Sequence, residues 1–135
     1  AGRALISGSA EGVALVTKEP LSFWGGLNSD TGEIIDRRHD RSGSIVTDKI
    51  FVFPRGRGSS TGSAILLECI KNGTAPAAII NLRTDPIIAL GAIVADELYH
   101  NSIPVVVLPE EFFNSIKEGD FVRVKPGGQV VVTEG

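Results

Sequence analysis

The side chains best suited to chemistry crowd into one run, Pro54-Arg55-Gly56-Arg57-Gly58-Ser59-Ser60-Thr61-Gly62-Ser63. Glycines let backbone N–H groups close on a ligand, and a helix that follows adds its own free N–H donors. Arg55 and Arg57 can pair bidentately with a carboxylate or phosphate in a way that Lys cannot. The run matches neither common phosphate motif. A dinucleotide fingerprint starting at Gly56 needs Gly where Thr61 stands, and a P-loop needs a Gly-Lys-Ser/Thr ending. Ser59 and Ser60 would also serve as a plain helix N-cap, and the arginines as surface charges. Two arginines, three glycines and a Ser-Ser-Thr run between residues 55 and 62 are nevertheless more than a cap requires. They describe a seat for an anion, to which Arg83, Thr84 and Asp85 would add if the fold brings them to the same edge.

The hydrophobic pattern says that it does. Residues 49–53 form an apolar β-type run stopped by Pro54, and residues 60–72 carry Ile65, Leu66, Cys69 and Ile70 at helical spacing before Gly73. Residues 77–81 predict a second buried strand and residues 103–108 a third. Between them residues 86–99 predict a helix opened by Asp85 and Pro86 as cap and first turn. This βαβαβ order implies neighbouring parallel strands with right-handed crossovers, and ligands of such sheets sit at the carboxyl ends of the strands. The loops at 54–60, 82–85 and 109–111 therefore share one edge. Residues 3–7 and 12–18 read as a pair of antiparallel strands, and residues 121–125 and 129–133, joined through Pro126-Gly127-Gly128, as a closing hairpin. Between these, residues 20–32 predict a loop whose Phe23-Trp24-Gly25-Gly26 either folds onto the core or forms a flap over the site. The class is α/β, a layered domain with a central parallel βαβαβ unit and flanking antiparallel strands. With no repeat and no long linker, residues 1–135 make a single domain.

Composition removes several kinds of function. The chain has 135 residues, 42% of them hydrophobic, which is enough for one sizeable core. Thirteen Lys and Arg against 16 Asp and Glu leave a net charge of −3, and no basic block exceeds Arg37-Arg38, so no nucleic-acid partner is expected. The apolar stretches are too short for a membrane span, so no membrane partner is expected. Cys69 stands alone, which fits a reducing cytoplasm, and the two imidazoles, His39 and His100, belong to no Cys/His cluster, so no metal site is expected from this chain alone. The mixed-sign run Asp36-Arg37-Arg38-His39-Asp40-Arg41 reads as a solvated turn or a subunit-facing patch, and His100 as the cationic end of a helix.

Ser22-Phe23-Trp24-Gly25-Gly26, Asp30-Thr31-Gly32, Phe51-Val52-Phe53-Pro54 with Gly56-Arg57-Gly58-Ser59-Ser60, and Ala78-Ile79-Ile80-Asn81 before Asp85-Pro86-Ile87 together resemble the small subunit of the aconitase X family. That subunit is the swivelling β/β/α domain which other aconitases carry fused at their carboxyl end. The likeness runs over nearly the whole chain and is greatest to the stand-alone archaeal members that act on 5-phosphomevalonate. It implies a hydro-lyase of two subunits, active only with its large subunit, that dehydrates (R)-5-phosphomevalonate to trans-anhydromevalonate 5-phosphate in the archaeal mevalonate pathway. It implies an iron–sulfur cluster held by the partner large subunit, with none bound by this chain. Gly58-Ser59-Ser60 matches the family's Gly-Ser-Ser, whose first Ser is the catalytic base, so the resemblance places that role on Ser59, with Arg57, Arg55, Ser60, Gly58 and Arg83 binding substrate. Aconitases follow the two serines with Arg. Thr61 stands there here, so the arginine for the substrate carboxylate must be Arg57, Arg55 or one from the large subunit.

Three other readings compete. Within the family, a cis-3-hydroxy-L-proline dehydratase performs the same elimination on an amino acid. Outside it, a non-catalytic anion-binding or scaffolding module would use Arg55, Arg57 and Arg83 alone. A phosphohistidine carrier would need a His after a Gly-rich turn at a helix start, and neither His39 nor His100 has that setting.

Overall fold

A computed structural model describes residues 2–56, 61–101 and 103–133. Seven strands form one curled sheet: β1 (Arg3–Ile6), β2 (Ala10–Val16), β3 (Ile50–Val52), β4 (Ala78–Asn81), β5 (Val105–Val107), β6 (Phe121–Lys125) and β7 (Gln129–Thr133). Their order is β1-β5-β4-β3-β2-β6-β7. The turn α1 (Phe23–Gly26) and the helices α2 (Thr61–Asn72), α3 (Pro86–Tyr99) and α4 (Glu110–Ser115) connect them. Strands β3, β4 and β5 run parallel, joined through α2 and α3, as the apolar runs and caps require.

Period-2 alternation divides the core in two. Phe51 and Phe53, Ile79 and Val105 face α2 and α3, while Ile50 and Val52, Ala78 and Ile80, and Val106 turn to the other side, against Phe113 and Ile116 and against Val122 and Val124 of β6. A parallel sheet covered on both faces needs such near-continuous apolar strands. Helix α2 contributes Leu66, Cys69 and Ile70 to the first layer, and Gly73, at a φ of +76°, stops it.

Two expectations change. β1 and β2 do not pair with each other. β1 runs antiparallel to β5, and β2 runs parallel to β3 while pairing antiparallel with β6. Short strands adjacent in sequence read as a hairpin, but here the alternation in β2 (Ala14 in one layer, Leu15 in the other) suits a central strand, and β1 is drawn to the far edge. The sheet curls until its edges meet: the Gly2 N–H donates to the Gly128 carbonyl at 3.0 Å, and a Cβ on Gly128 would lie 2.7 Å from the Gly2 oxygen. The second change is at 109–111, which is no free loop. Glu110 and Glu111 open α4, whose Phe113 closes the second core layer.

Candidate active site

At the carboxyl end of β3 the chain is clamped from three sides. The Pro54 carbonyl accepts from the N–H groups of Leu82 (3.0 Å) and Arg83 (3.1 Å), which follow β4. The Arg55 carbonyl accepts from Leu21 N–H at 3.3 Å. The Gly56 N–H donates to Oδ2 of Asp85 at 2.5 Å. Asp85 is buried, and its other oxygen accepts from the N–H groups of Ile87 (3.0 Å) and Ile88 (3.3 Å) as the N-cap of α3. One carboxylate thus caps α3 and holds the first glycine of the candidate loop. A Cβ on Gly56 would collide with that oxygen, so glycine is required there by close approach.

Arg55 and Arg83 are brought to the same edge and both are exposed. Arg57, Gly58, Ser59 and Ser60, the centre of the expected site, lie outside the described residues. The structure describes what flanks them: Gly56, tied to Asp85, and α2, which begins at Thr61. A Cβ on Gly62 would sit 3.6 Å from Ile87 and 3.8 Å from Phe23, so the starts of α2 and α3 and the 23–26 turn converge. The seam between them encloses only about 10 Å³ beside Leu21, Phe23, Gly56 and Asp85, no more than about the space of a single water. Asp85 occupies first-turn donors of α3, so those N–H groups are already satisfied by this chain.

The aromatic segment folds onto the core, the first of the two expectations, through Phe23. Phe23 is buried against Phe53 (ring centroids 5.8 Å apart), while Trp24 beside it is exposed. The 36–41 run is not a solvated turn throughout. His39 is buried, its Nδ1 accepting from Arg41 N–H at 3.1 Å and its Nε2 lying 3.4 Å from the Glu19 carbonyl. Glu19, His39 and Asp40 bring potential ligand atoms together, but the ring nitrogens are engaged with backbone, Asp40 accepts from the Thr17 hydroxyl at 2.6 Å, and Glu19 accepts from Asp40 N–H at 3.2 Å. His39 holds a loop in place. His100 caps α3 in the left-handed region at a φ of 53°.

Two residues at this edge escaped the sequence reading. Arg3 reaches it because β1 pairs with β5, and its guanidinium donates to the Thr84 hydroxyl. Only the long-range pairing of β1 reveals this. Asn81 ends β4 fully buried, with Nδ2 donating to the Phe53 carbonyl at 2.9 Å and Oδ1 without a partner among the described residues.

The residues of this chain do not fit an iron–sulfur cluster. Its one thiol, Cys69, is buried in the α2 layer, and burial pushes the thiol pKa up, away from the thiolate that a ligand must be. Among the described residues no helix is long and apolar enough to cross a membrane.

Fold and edge together define a layered α/β domain with Arg55, Arg83 and the start of α2 at the carboxyl end of its parallel strands. The chain belongs to the aconitase X swivel domain family, whose profile matches residues 1–133. It is 49% identical over 123 residues to the "Phosphomevalonate dehydratase small subunit" of Archaeoglobus fulgidus, covering 90% of this chain and 88% of that one. It is also 49% identical, over 110 residues, to the "Cis-3-hydroxy-L-proline dehydratase" of Pseudomonas aeruginosa, covering 82% of this chain but only 19% of that protein. Among solved structures, Thermococcus kodakaraensis aconitase X (holo-form) superposes with a TM-score of 0.89 at 40% identity, over 98% of this chain and 96% of the matched chain. These curated relatives are named as dehydratases or their subunits, and the swivel fold agrees with the layered reading.

Proposed function

We propose that this chain is the small subunit of a hydro-lyase that removes water from (R)-5-phosphomevalonate, giving trans-anhydromevalonate 5-phosphate, and that it works in the cytoplasm with a large subunit. One observation carries the choice of substrate. The relative matched along almost its full length is named a phosphomevalonate dehydratase small subunit, whereas the hydroxyproline enzyme is about five times longer than the segment it shares.

In this reading the stretch between Gly56 and α2 supplies the base. A proton leaves the carbon next to the substrate carboxylate for the Ser59 oxygen, held near the alkoxide, and the C–H pair becomes the new C=C bond. The neighbouring C–O bond breaks with its electron pair on the hydroxyl oxygen, which takes a proton from an acid of the large subunit and leaves as water, while Ser59 returns its own proton to solvent. A serine hydroxyl is a poor base at neutral pH, so arginine charge and the N–H donors of the start of α2 must hold it near the alkoxide. Arg57, together with Arg55 and Arg83, binds the carboxylate and phosphate bidentately, and Gly58 and Ser60 complete the cradle. The Asp85 clamp on Gly56 fixes the residue just before Arg57, a positioning role. An iron–sulfur cluster, which this chain has no residues to hold, belongs to the large subunit.

The test is co-expression of both chains with assay of phosphomevalonate. Dehydration is expected from the pair and from neither chain alone, with iron only on the larger. A pair that binds phosphomevalonate tightly without consuming it would favour the non-catalytic anion-binding module.

A further inference from the structure

Because β1 runs antiparallel to β5, it is the start of β1 that lies at the carboxyl edge of the parallel strands. Arg3 stands opposite Val107 there, and Val107 opposite Asn81, so one row crosses the sheet toward the exit of β3. Directly opposed residues share a face, and Val107, two positions past Val105, faces the α2 and α3 layer. Arg3 therefore emerges on the side where those helices begin. Its guanidinium donates to the Thr84 hydroxyl. Thr84 sits between two residues fastened to the exit of β3: Arg83, whose N–H donates to the Pro54 carbonyl at 3.1 Å, and Asp85, which holds the Gly56 N–H. A long side chain from the far strand is thus tied to the segment that clamps Gly56.

Arg3, Arg55 and Arg83 are all exposed, and among the described residues none of them is in an ion pair with a carboxylate. The acid beside them, Asp85, spends both oxygens on backbone N–H groups. Glu110 and Glu111, which also follow β5, open α4 against the other core layer. In a chain of net charge −3 this edge is left cationic. We infer that Arg3, held by Thr84, binds the phosphate of the substrate and so selects a phosphorylated substrate over an unphosphorylated one. This rests on the proposed function and deepens it. The substrate's carboxylate is attached to the carbon that gives up its proton, so it must lie where the base acts, while the phosphate sits at the other end of the carbon chain. Arg3 is the outlying cation of the edge, since β5 and β4 separate its strand from β3. A phosphate offers several charged oxygens to a guanidinium fork, and the Thr84 hydroxyl fixes that fork before the ligand arrives. A site built around such a pair rejects an analogue without the phosphate, because the cation is left unmatched.

The experiment uses the full chain assembled with its large subunit. Arg3→Gln is expected to raise KM for 5-phosphomevalonate by ~10–100-fold with kcat within about 3-fold, the pattern of binding lost equally in ground and transition states. Two competitive inhibitors divide the substrate: of its two anionic groups isopentyl phosphate carries only the phosphate, mevalonate only the carboxylate. The Ki of isopentyl phosphate is expected to rise by the same factor as KM, and that of mevalonate to keep its wild-type value. Arg3→Lys keeps the charge without the fork, and Thr84→Val frees the guanidinium. Both are expected to fall in between, so the test does not depend on one variant folding. Arg123→Gln, at an exposed arginine of β6, is expected to change nothing. Unchanged KM in Arg3→Gln, or equal losses for the two inhibitors, overturns the inference. So does a loss confined to mevalonate, which would give Arg3 the carboxylate. Each of these leaves wild-type turnover intact, whereas a wild-type pair that neither dehydrates 5-phosphomevalonate nor binds isopentyl phosphate would bring down the functional reading itself.

Discussion

Asp85 joins a helix cap to the candidate loop, so its loss has two separable consequences. Asp85→Ala removes the cap of α3, costing about 0.5–2 kcal/mol, and frees the Gly56 N–H. The melting temperature is expected to fall by about 3–6 °C, and kcat to fall further than the folded fraction explains. Thermal melts paired with single-turnover rates separate the two. Ser59→Ala is expected to lower kcat by roughly 10² to 10⁴ with assembly unchanged, while Ser60→Ala gives the milder defect. Arg57→Ala should cost about 2–5 kcal/mol in kcat/KM, and Arg37→Ala little. Equal values for the two would make Arg57 an ordinary surface charge. The candidate site comes from the sequence because arginines, glycines and hydroxyls cluster there, and of that cluster the structure describes Arg55, Gly56 and the residues from Thr61 on. The Asp85 clamp was not legible: a carboxylate before Pro86 announces a cap, and nothing local says that its second oxygen meets a backbone 29 positions earlier.

At the scale of elements, α3 was readable to its ends and the closing hairpin to its last residue, since caps, Pro at the first turn and period-2 runs are local signals. The partner of β1 was not, because strand pairing depends on which edge remains free after the parallel unit has formed. Arg3 was lost with it. Burial of His39 escaped for the same reason: its neighbours in sequence are charged, but its partner is the Glu19 carbonyl across a loop. Where α2 and α3 cross, Gly91→Ala offers a test of packing. Alanine improves helix propensity by roughly 0.5–1 kcal/mol, but its methyl would press on the Ser63 carbonyl, an overpacking cost of about 1–3 kcal/mol. The variant is expected to be net destabilised in chemical denaturation, with an unchanged m-value.

For the whole molecule, stability depends on pH through a buried thiol. Burial raises the Cys69 thiol pKa, opposed by a hydrogen bond from Thr74 and reinforced by Glu68. The native state therefore keeps a proton that the unfolded chain gives up. The contribution is fully present below the ordinary thiol pKa and is lost as pH rises from there through the raised value of the folded state. Cys69→Ala is expected to flatten the alkaline fall in stability, read from melts across that range, and native Cys69 to resist alkylation at neutral pH. Neither change touches the loop edge, so activity of the assembled enzyme should survive both.

The central claim is that this chain completes a phosphomevalonate dehydratase. The most direct measurement titrates it into a fixed amount of the large subunit and follows formation of the conjugated double bond, in parallel with 5-phosphomevalonate and with cis-3-hydroxy-L-proline. The account predicts no turnover without this chain, a rate that rises to saturation at a fixed ratio of the two chains with phosphomevalonate, and none with hydroxyproline. Turnover of hydroxyproline with phosphomevalonate ignored, or dehydration by this chain alone, would contradict it.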